Sequence, residues 1–241
     1  MREWDEAHGV KLVRNPETSM PCFVADPEVL FADSKPAQTY PEYFQNRTID
    51  RFVVELYSYG EQRDTARIAL NRTVKYLKNM DKVLNEYSGK GLYYYSKQRG
   101  TGKTFLSTIL GNELSRLGYR VRWYGMTNLI QEIKTGFDRE SSTSSAEVIN
   151  LARNAEILIL DDIGVEKQSA WLNETVYTIL DHRMSQCKPT IFTSNTLPEE
   201  LGYDERIVDR IRRMTELIQL PEESIRRMMN QRNGLGDFLD N

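Results

Sequence analysis

The chain has 241 residues, 39% of them hydrophobic and 28% charged, enough for one α/β core of about 200 residues plus an extension. A net charge of −3 excludes a protein that coats nucleic acid electrostatically, so any DNA contact has to be local or assisted by a partner. Cys22 and Cys187 form no CxxC pair, no apolar run reaches membrane-spanning length, and Met1-Arg2-Glu3-Trp4-Asp5 is not a signal peptide; the expected compartment is a reducing cytoplasm, with no membrane partner.

Residues 1–45 read as an irregular extension, with prolines at 16, 21, 27, 36 and 41 and weak apolar periodicity. Within it, Tyr40-Pro41-Glu42-Tyr43-Phe44 is either an aromatic plug for the main domain or a partner, or part of a partly ordered arm. The folded domain is expected over 46–241. Thr48-Ile49-Asp50-Arg51-Phe52 leads into a helix from about Glu61 to Met80, with Ala66, Leu70, Val74 and Leu77 on one face. The apolar run Leu92-Tyr93-Tyr94-Tyr95 predicts a strand. After Gly100-Thr101-Gly102-Lys103-Thr104, the positions Leu106, Ile109, Leu110, Leu114 and Leu117 predict a helix closing at Gly118.

Val121 to Tyr124 reads as a second strand, and Thr127 as the cap of a helix carrying Leu129, Ile130 and Ile133 that ends near Gly136. The polar run 138–145 follows. Ser144 and Glu147 have capping-box spacing and start a helix with Val148, Leu151 and Ala152 on one side. Ile157-Leu158-Ile159-Leu160 has no polar alternation, as a central parallel strand covered on both faces requires. A helix from about Ala170 to Gln186 carries Leu172, Val176, Ile179 and Leu180. The strand Thr190 to Ser194, a Pro198 turn, a helix from Asp204 to Met214 with Ile207, Val208 and Ile211 inward, the strand Leu217 to Leu220 and a helix from Pro221 to about Arg232 complete the chain. Strands alternating with helices mean a parallel sheet with right-handed crossovers.

Strand, glycine-rich turn, Lys-Thr and helix make a P-loop. Its glycines let backbone N–H groups curl around an anion at a helix N-terminus. Gly100 to Phe105 would bind the phosphates, with Lys103 on the β- and γ-phosphates and the Thr104 hydroxyl on Mg²⁺. Lys97 stands where the full pattern has its first glycine; it either adds a phosphate contact or shapes the loop differently. Asp161, at the C-terminal end of the apolar strand, would hold Mg²⁺, and Asp162 would orient or deprotonate the attacking water. Asn195, ending the next strand, would fix that water or the γ-phosphate. Charge developing on the γ-phosphate calls for a further arginine. Among Arg206, Arg210, Arg212 and Arg213, Arg210 is the choice for a finger inserted into a neighbouring subunit, with Arg226 and Arg227 as weaker candidates acting in cis.

The segments 93–106, 157–164 (Ile-Leu-Ile-Leu-Asp-Asp-Ile-Gly), 193–195 (Thr-Ser-Asn) and 205–212 (Glu-Arg-Ile-Val-Asp-Arg-Ile-Arg) resemble Walker A, Walker B, sensor 1 and box VII of the DnaC/DnaI-type AAA+ helicase loaders. The IstB transposition ATPases are close relatives. The likeness runs over roughly 40–232, including the Tyr-Pro-Glu-Tyr-Phe lead-in and Leu-Pro-Glu-Glu-Ser-Ile-Arg at 220–226. It implies an AAA+ P-loop fold with a reduced C-terminal lid, and Mg²⁺-dependent ATP hydrolysis. Asp162, Asn195 and Arg210 would then be catalytic, Thr104 and Asp161 would hold the metal, and the chain would self-associate through Arg210 when ATP is bound. It also places single-stranded DNA contacts between the second strand and Walker B, a region that holds Thr127, Lys134, Phe137 and Arg139; an ordinary amphipathic helix pair is the competing reading. The extension lacks the four-cysteine zinc site that many loaders carry, so no zinc is expected.

The implied function is the loading of a DnaB-type replicative helicase onto single-stranded DNA. The alternatives are an IstB-like ATPase assisting a transposase and a nucleotide-dependent adaptor with little hydrolysis. A small-molecule kinase is disfavoured because the 138–145 loop offers only Arg139 to an acceptor. A DnaA-type initiator is disfavoured because no helix-turn-helix segment is expected after residue 232.

Overall fold

The structure, a computed structural model, describes residues 10–14, 21–25, 45, 47–137 and 144–226. The chain divides into two units at 38/39. In the first, β1 (Val10–Arg14) and β2 (Pro21–Ala25) pair antiparallel, Val10 opposite Ala25 and Arg14 opposite Pro21. The proline-rich composition predicts no strand here. Pro21 is tolerated because it opens its strand, where a missing N–H costs little. The Tyr40–Phe44 segment lies outside the described residues.

The second unit carries α1 (Glu61–Lys78), α2 (Met80–Asn85), β3 (Gly91–Tyr95), α3 (Lys103–Arg116), β4 (Val121–Gly125) and α4 (Met126–Thr135). It continues with α5 (Ser145–Asn154), β5 (Ile157–Asp161), α6 (Ala170–Ser185), β6 (Thr190–Ser194), α7 (Glu205–Met214) and β7 (Thr215–Gln219). The five strands β3–β7 form a parallel sheet in the order β4-β5-β6-β3-β7, the arrangement the alternating elements predict.

The central strands of that sheet are dry on both faces. Tyr94, Ile157, Ile159 and Ile191 pack with α1, α2 and α3 on one face, while Tyr93, Leu158, Leu160 and Phe192 pack with α4 to α7 on the other. Successive strand side chains point to opposite faces, so a strand covered twice has to be apolar at every position. Leu106, Ile109, Leu110 and Leu114 of α3 are fully buried, each contributing about 1.5–3 kcal/mol.

Three helix faces differ from expectation. On α1 the buried positions are Ala66, Ala69, Thr73 and Tyr76, with Leu70 and Leu77 only flanking them. Polar residues take the inner stripe because each has a partner: Thr73 Oγ1 pairs with the Tyr94 hydroxyl at 2.8 Å, and the Tyr76 hydroxyl donates to the Lys90 carbonyl at 3.0 Å. Leu151 of α5 and Leu117 beyond α3 face solvent, 37% and 61% exposed. Ser144 caps α5 as its spacing predicts, accepting from the Glu147 N–H at 3.2 Å, whereas Thr127 lies inside α4, whose N-cap is Gly125. Residues 221–225 are not helical. They run instead along the glycine loop.

At the pole opposite that loop, Arg183 of α6 is wholly buried with no carboxylate among its hydrogen-bond partners. Its guanidinium donates to the carbonyls of Ala152 (3.0 Å), Ala155 (2.6 Å) and Pro189 (2.6 Å) and to Thr190 Oγ1 (2.8 Å). It thus ties the end of α5 to the start of β6, and answers carbonyls that a helix C-terminus leaves unpaired. Arg183→Met should lower the unfolding free energy by about 3 kcal/mol, because several buried acceptors lose their donor together. Urea denaturation checks this, and Arg183→Lys should recover only part, an ammonium having three donors against five.

Candidate functional site

Three strand ends build the site. β6 lies between β3 and β5, so the loop after β3, Asp161 at the end of β5 and the end of β6 emerge together at the C-terminal edge of one sheet. The glycine loop and the paired aspartates therefore face one space, as a shared triphosphate requires.

Gly100 and Gly102 have φ of +75° and +91°, a region that residues with a Cβ rarely adopt. A methyl group on Gly102 would stand 2.9 Å from the Tyr57 hydroxyl, and one on Gly100 2.5 Å from Ser224 Oγ. Two segments distant in sequence thus hold the loop. From beneath, the Tyr57 hydroxyl donates to the Thr101 carbonyl at 2.8 Å, and Phe52 stacks on Phe105 with ring centroids 6.5 Å apart. The Phe105 side chain therefore belongs to the core, leaving its backbone to face an anion. From the side, the Lys97 and Gln98 N–H groups each donate to one oxygen of the Glu222 carboxylate at 3.0 Å, and the Ile225 N–H donates to the Gly100 carbonyl at 3.0 Å. Lys97 is exposed and not left-handed, so its backbone makes no demand for the glycine of the full motif.

The Lys103 ammonium donates to the carbonyls of Ser96 (3.1 Å) and Gln98 (2.8 Å) and to Thr101 Oγ1 (3.4 Å). Burial holds its pKa below the usual lysine range, against the opposing pull of Asp162, Glu222 and Asp161. A phosphate would exchange weak neutral acceptors for a full negative charge. Thr104 Oγ1 donates to Asp161 Oδ2 at 3.1 Å. Two oxygens bound side by side to octahedral Mg²⁺ at about 2.1 Å sit about 3 Å apart, so this pair fits adjacent ligand positions. One carboxylate and one hydroxyl is the donor set expected where nucleotide phosphates and water complete the shell.

Asp161 is buried, and burial pushes its pKa up to about 6, against hydrogen bonds from Thr193 and Thr104. The next residue, Asp162, takes a left-handed φ of +59°, and its Oδ1 accepts from Asn195 Nδ2 at 3.2 Å. Asp161, Asp162, Asn195, Lys103 and Thr104 are thereby brought together. Arg210 is not among them. Its guanidinium bonds Asp181 (2.6 Å) and the Tyr177 hydroxyl (2.6 Å) and lies 4.1 Å over the Tyr177 ring, all on α6 of its own chain. Arg226 stands next to the loop, its Cβ 3.2 Å from where a Gly100 methyl would be, while Arg227 lies outside the described residues.

A separate cleft of about 440 Å³ is lined by Thr127 and Lys134 of α4, by Glu166 and Lys167, and by Trp171 of α6. Lys134 Nζ lies 5.4 Å over the Trp171 ring, and Phe137, 64% exposed, meets that ring edge-on at 6.3 Å. Arg139 lies outside the described residues. Sequence reasoning gives no role to Trp171 and Lys167, nor to Glu222 and Thr193, although these two lie in segments that carry the resemblance. Thr193 carries no distinguishing signal there, since Thr190 and Ser194 of the same buried strand are hydroxyl residues too.

The raised pKa of Asp161 fixes a sign. Its folded value lies above the unfolded one, so its contribution to the stability of the nucleotide-free protein is greatest below about pH 4 and is lost as pH rises through about 6. Asp161→Asn should therefore be more stable than wild type at pH 7 without Mg²⁺, by up to about 3 kcal/mol, with the difference fading at pH 4. Thermal unfolding across that range reads it.

Residues 96–233 match the family model of the IstB-like ATP binding proteins. The replicative helicase loader DnaI of Bacillus subtilis is 36% identical over 142 residues, which is 58% of this chain and 43% of that protein. The replicative helicase loader DnaC of Escherichia coli K12 is 27% identical over 169 residues, 69% of each. Crystal structures of DnaI and of the DnaC helicase loader each superpose with a TM-score of 0.60 at 23% identity, covering 75% of this chain and 94% and 99% of theirs. A replication initiator DnaA bound to AMPPCP and single-stranded DNA gives 0.58 at 22% identity, covering 78% of this chain and 55% of that one. The matched residues make up more than half of the sequence and contain the glycine loop, both aspartates and Asn195. The chain belongs to the family of IstB-like ATP binding proteins, on the fold of the AAA+ P-loop ATPases.

Proposed function

We propose that this chain is a Mg²⁺-dependent ATPase that loads a DnaB-type replicative helicase onto single-stranded DNA. The observation that carries the reading is the meeting of Thr104 and Asp161 at 3.1 Å, with Lys103 and the Asp162–Asn195 pair beside them. Phosphoryl transfer to water is limited by positioning and by charge on the γ-phosphate. Lys103 and the loop amides answer the ground-state charge. Asp162, held by Asn195, is placed to accept a proton from the attacking water. Mg²⁺, when bound by Thr104 and Asp161, supplies Lewis-acid polarisation of the phosphate oxygens. Support for the helicase comes from the names of the DnaI and DnaC relatives. Residues 1–45 would dock the partner, and 46–241 would form the ATPase domain.

Arg210 would act on a neighbouring subunit's nucleotide once oligomerisation draws it off Asp181 and Tyr177, while Arg226 is placed to sense phosphate within its own subunit. Lys103→Ala should abolish binding of a fluorescent ATP analogue, whereas Asp162→Asn should bind normally and hydrolyse about 100-fold more slowly. Equal turnover in the wild type and both variants would end the catalytic assignment. Capture of a DnaB-type helicase by the full chain supports loading. The other reading is an ATPase assisting a transposase, the role implied by the resemblance to the IstB ATPases. Stimulation of a transposase without helicase binding would select it.

The cleft between α4 and α6 would take single-stranded DNA, Trp171 and Phe137 offering faces for bases, and Lys134 and Lys167 charge for phosphates. Trp171→Ala should weaken binding of a fluorescein-labelled oligothymidine about 10-fold at fixed salt. Lys134→Ala should chiefly flatten the salt dependence. Fluorescence anisotropy measures both.

A further inference from the structure

Thr193 of β6 opens the Thr-Ser-Asn segment, in which Asn195 alone has been given a role, yet it sits at the centre of the site. It is 1% exposed. Its Oγ1 lies 2.7 Å from Asp161 Oδ1 and 2.8 Å from the Asp162 amide nitrogen. An amide N–H can only donate, so the hydroxyl accepts there, and its single proton has to go to the Asp161 carboxylate. Both directions of the hydroxyl are therefore in use, and its rotor is fixed.

Two consequences follow for the carboxylates. Asp161 has Oδ1 tied to Thr193, which leaves Oδ2 as the oxygen that meets Thr104. Asp162 has a left-handed backbone, a conformation costing a residue with a Cβ about 1–3 kcal/mol unless the surroundings hold it. The hold comes from β6. Thr193 Oγ1 takes the Asp162 N–H, the Thr193 carbonyl takes the Ile163 N–H at 2.9 Å, and Ser194 Oγ donates to the Ile163 carbonyl at 2.7 Å. With the chain hooked back this way, the Asp162 side chain lies 3.2 Å from Asn195 Nδ2.

We propose that Thr193 is a positioning residue for ATP hydrolysis: its one hydroxyl sets the metal carboxylate Asp161 and the water-activating Asp162 relative to each other. It acts through the two aspartates. The proposal rests on the ATPase reading above.

Thr193→Val keeps the shape and removes the hydroxyl, and Thr193→Ser keeps the hydroxyl. Because Asp162 moves while the glycine loop stays, Thr193→Val should bind a fluorescent ATP analogue within about twofold of wild type yet lose about 100-fold in kcat, the scale of a misplacement near 1 Å. A purely structural role would instead lower the melting temperature and the fraction of active protein, leaving turnover per bound nucleotide intact. Thr193→Ser should recover kcat to within about threefold. In an Asp162→Asn background, Thr193→Val should cost little more, since both changes disable one unit. Thr193→Ala, read the same way, stands in should the valine variant not fold. Wild-type kcat in the hydroxyl-free variants, a serine variant as slow as valine, or full additivity with Asp162→Asn would each overturn the proposal alone. A wild-type chain that binds ATP without turnover would overturn the ATPase reading, and this assignment with it.

Discussion

The arrangement of the site depends on one spacing, that of β3 and β5 on either side of β6. Parallel strands emerge pointing the same way, so a loop leaving β3 and a carboxylate ending β5 share one edge and stand two strands apart. A single strand between them leaves a gap that Thr104 Oγ1 and Asp161 Oδ2 close to 3.1 Å. That gap is also roofed by the end of β6, and so Thr193 and Asn195 touch the two aspartates. The chemistry is assembled by strand order, with no residue of the set on a free loop tip except those of the glycine turn.

Holding that edge ready costs stability. Asp161 is a buried carboxylate with a pKa near 6, and Lys103 a buried ammonium held below its usual range by burial. Each has its charge opposed by low polarity and relieved by a few hydrogen bonds. A metal and a polyphosphate would supply what is missing. The opposite pole has the reverse logic: the end of α5 leaves carbonyls there without helical partners, and the buried Arg183 satisfies them in the absence of any ligand.

The glycine loop is not self-supporting. Tyr57 and Phe52 underlie it, and Glu222, Ser224 and Ile225 flank it. Glu223 in turn accepts from the Ser58 amide and hydroxyl at 2.8 and 2.6 Å, and the Glu222 N–H donates to Gln62 Oε1 at 2.8 Å. The segments before α1 and after β7 are thus fastened to each other as well as to the loop. Their two attachments explain how Lys97 is accommodated in place of a glycine: its φ is not left-handed, and Glu222 takes its N–H.

The sequence by itself determined the order and type of the elements that carry chemistry. Gly100 and Gly102 before Lys103-Thr104 announce an anion loop, and an unalternating Ile-Leu-Ile-Leu run before Asp161-Asp162 announces a strand buried on both faces, because these are local statements about φ and periodicity. Lys103, Thr104, Asp161, Asp162 and Asn195 were legible for that reason. Partnerships across the chain were not. That Thr73 and Tyr76 face inward, that Thr193 locks both aspartates, that Glu222 meets the loop amides 125 and 124 residues away, and that Arg210 rests on Tyr177 all depend on which strands neighbour which. Burial makes a polar residue acceptable only where a partner waits, and where a partner waits is a property of the folded sheet, fixed by strand order and absent from any window of the sequence.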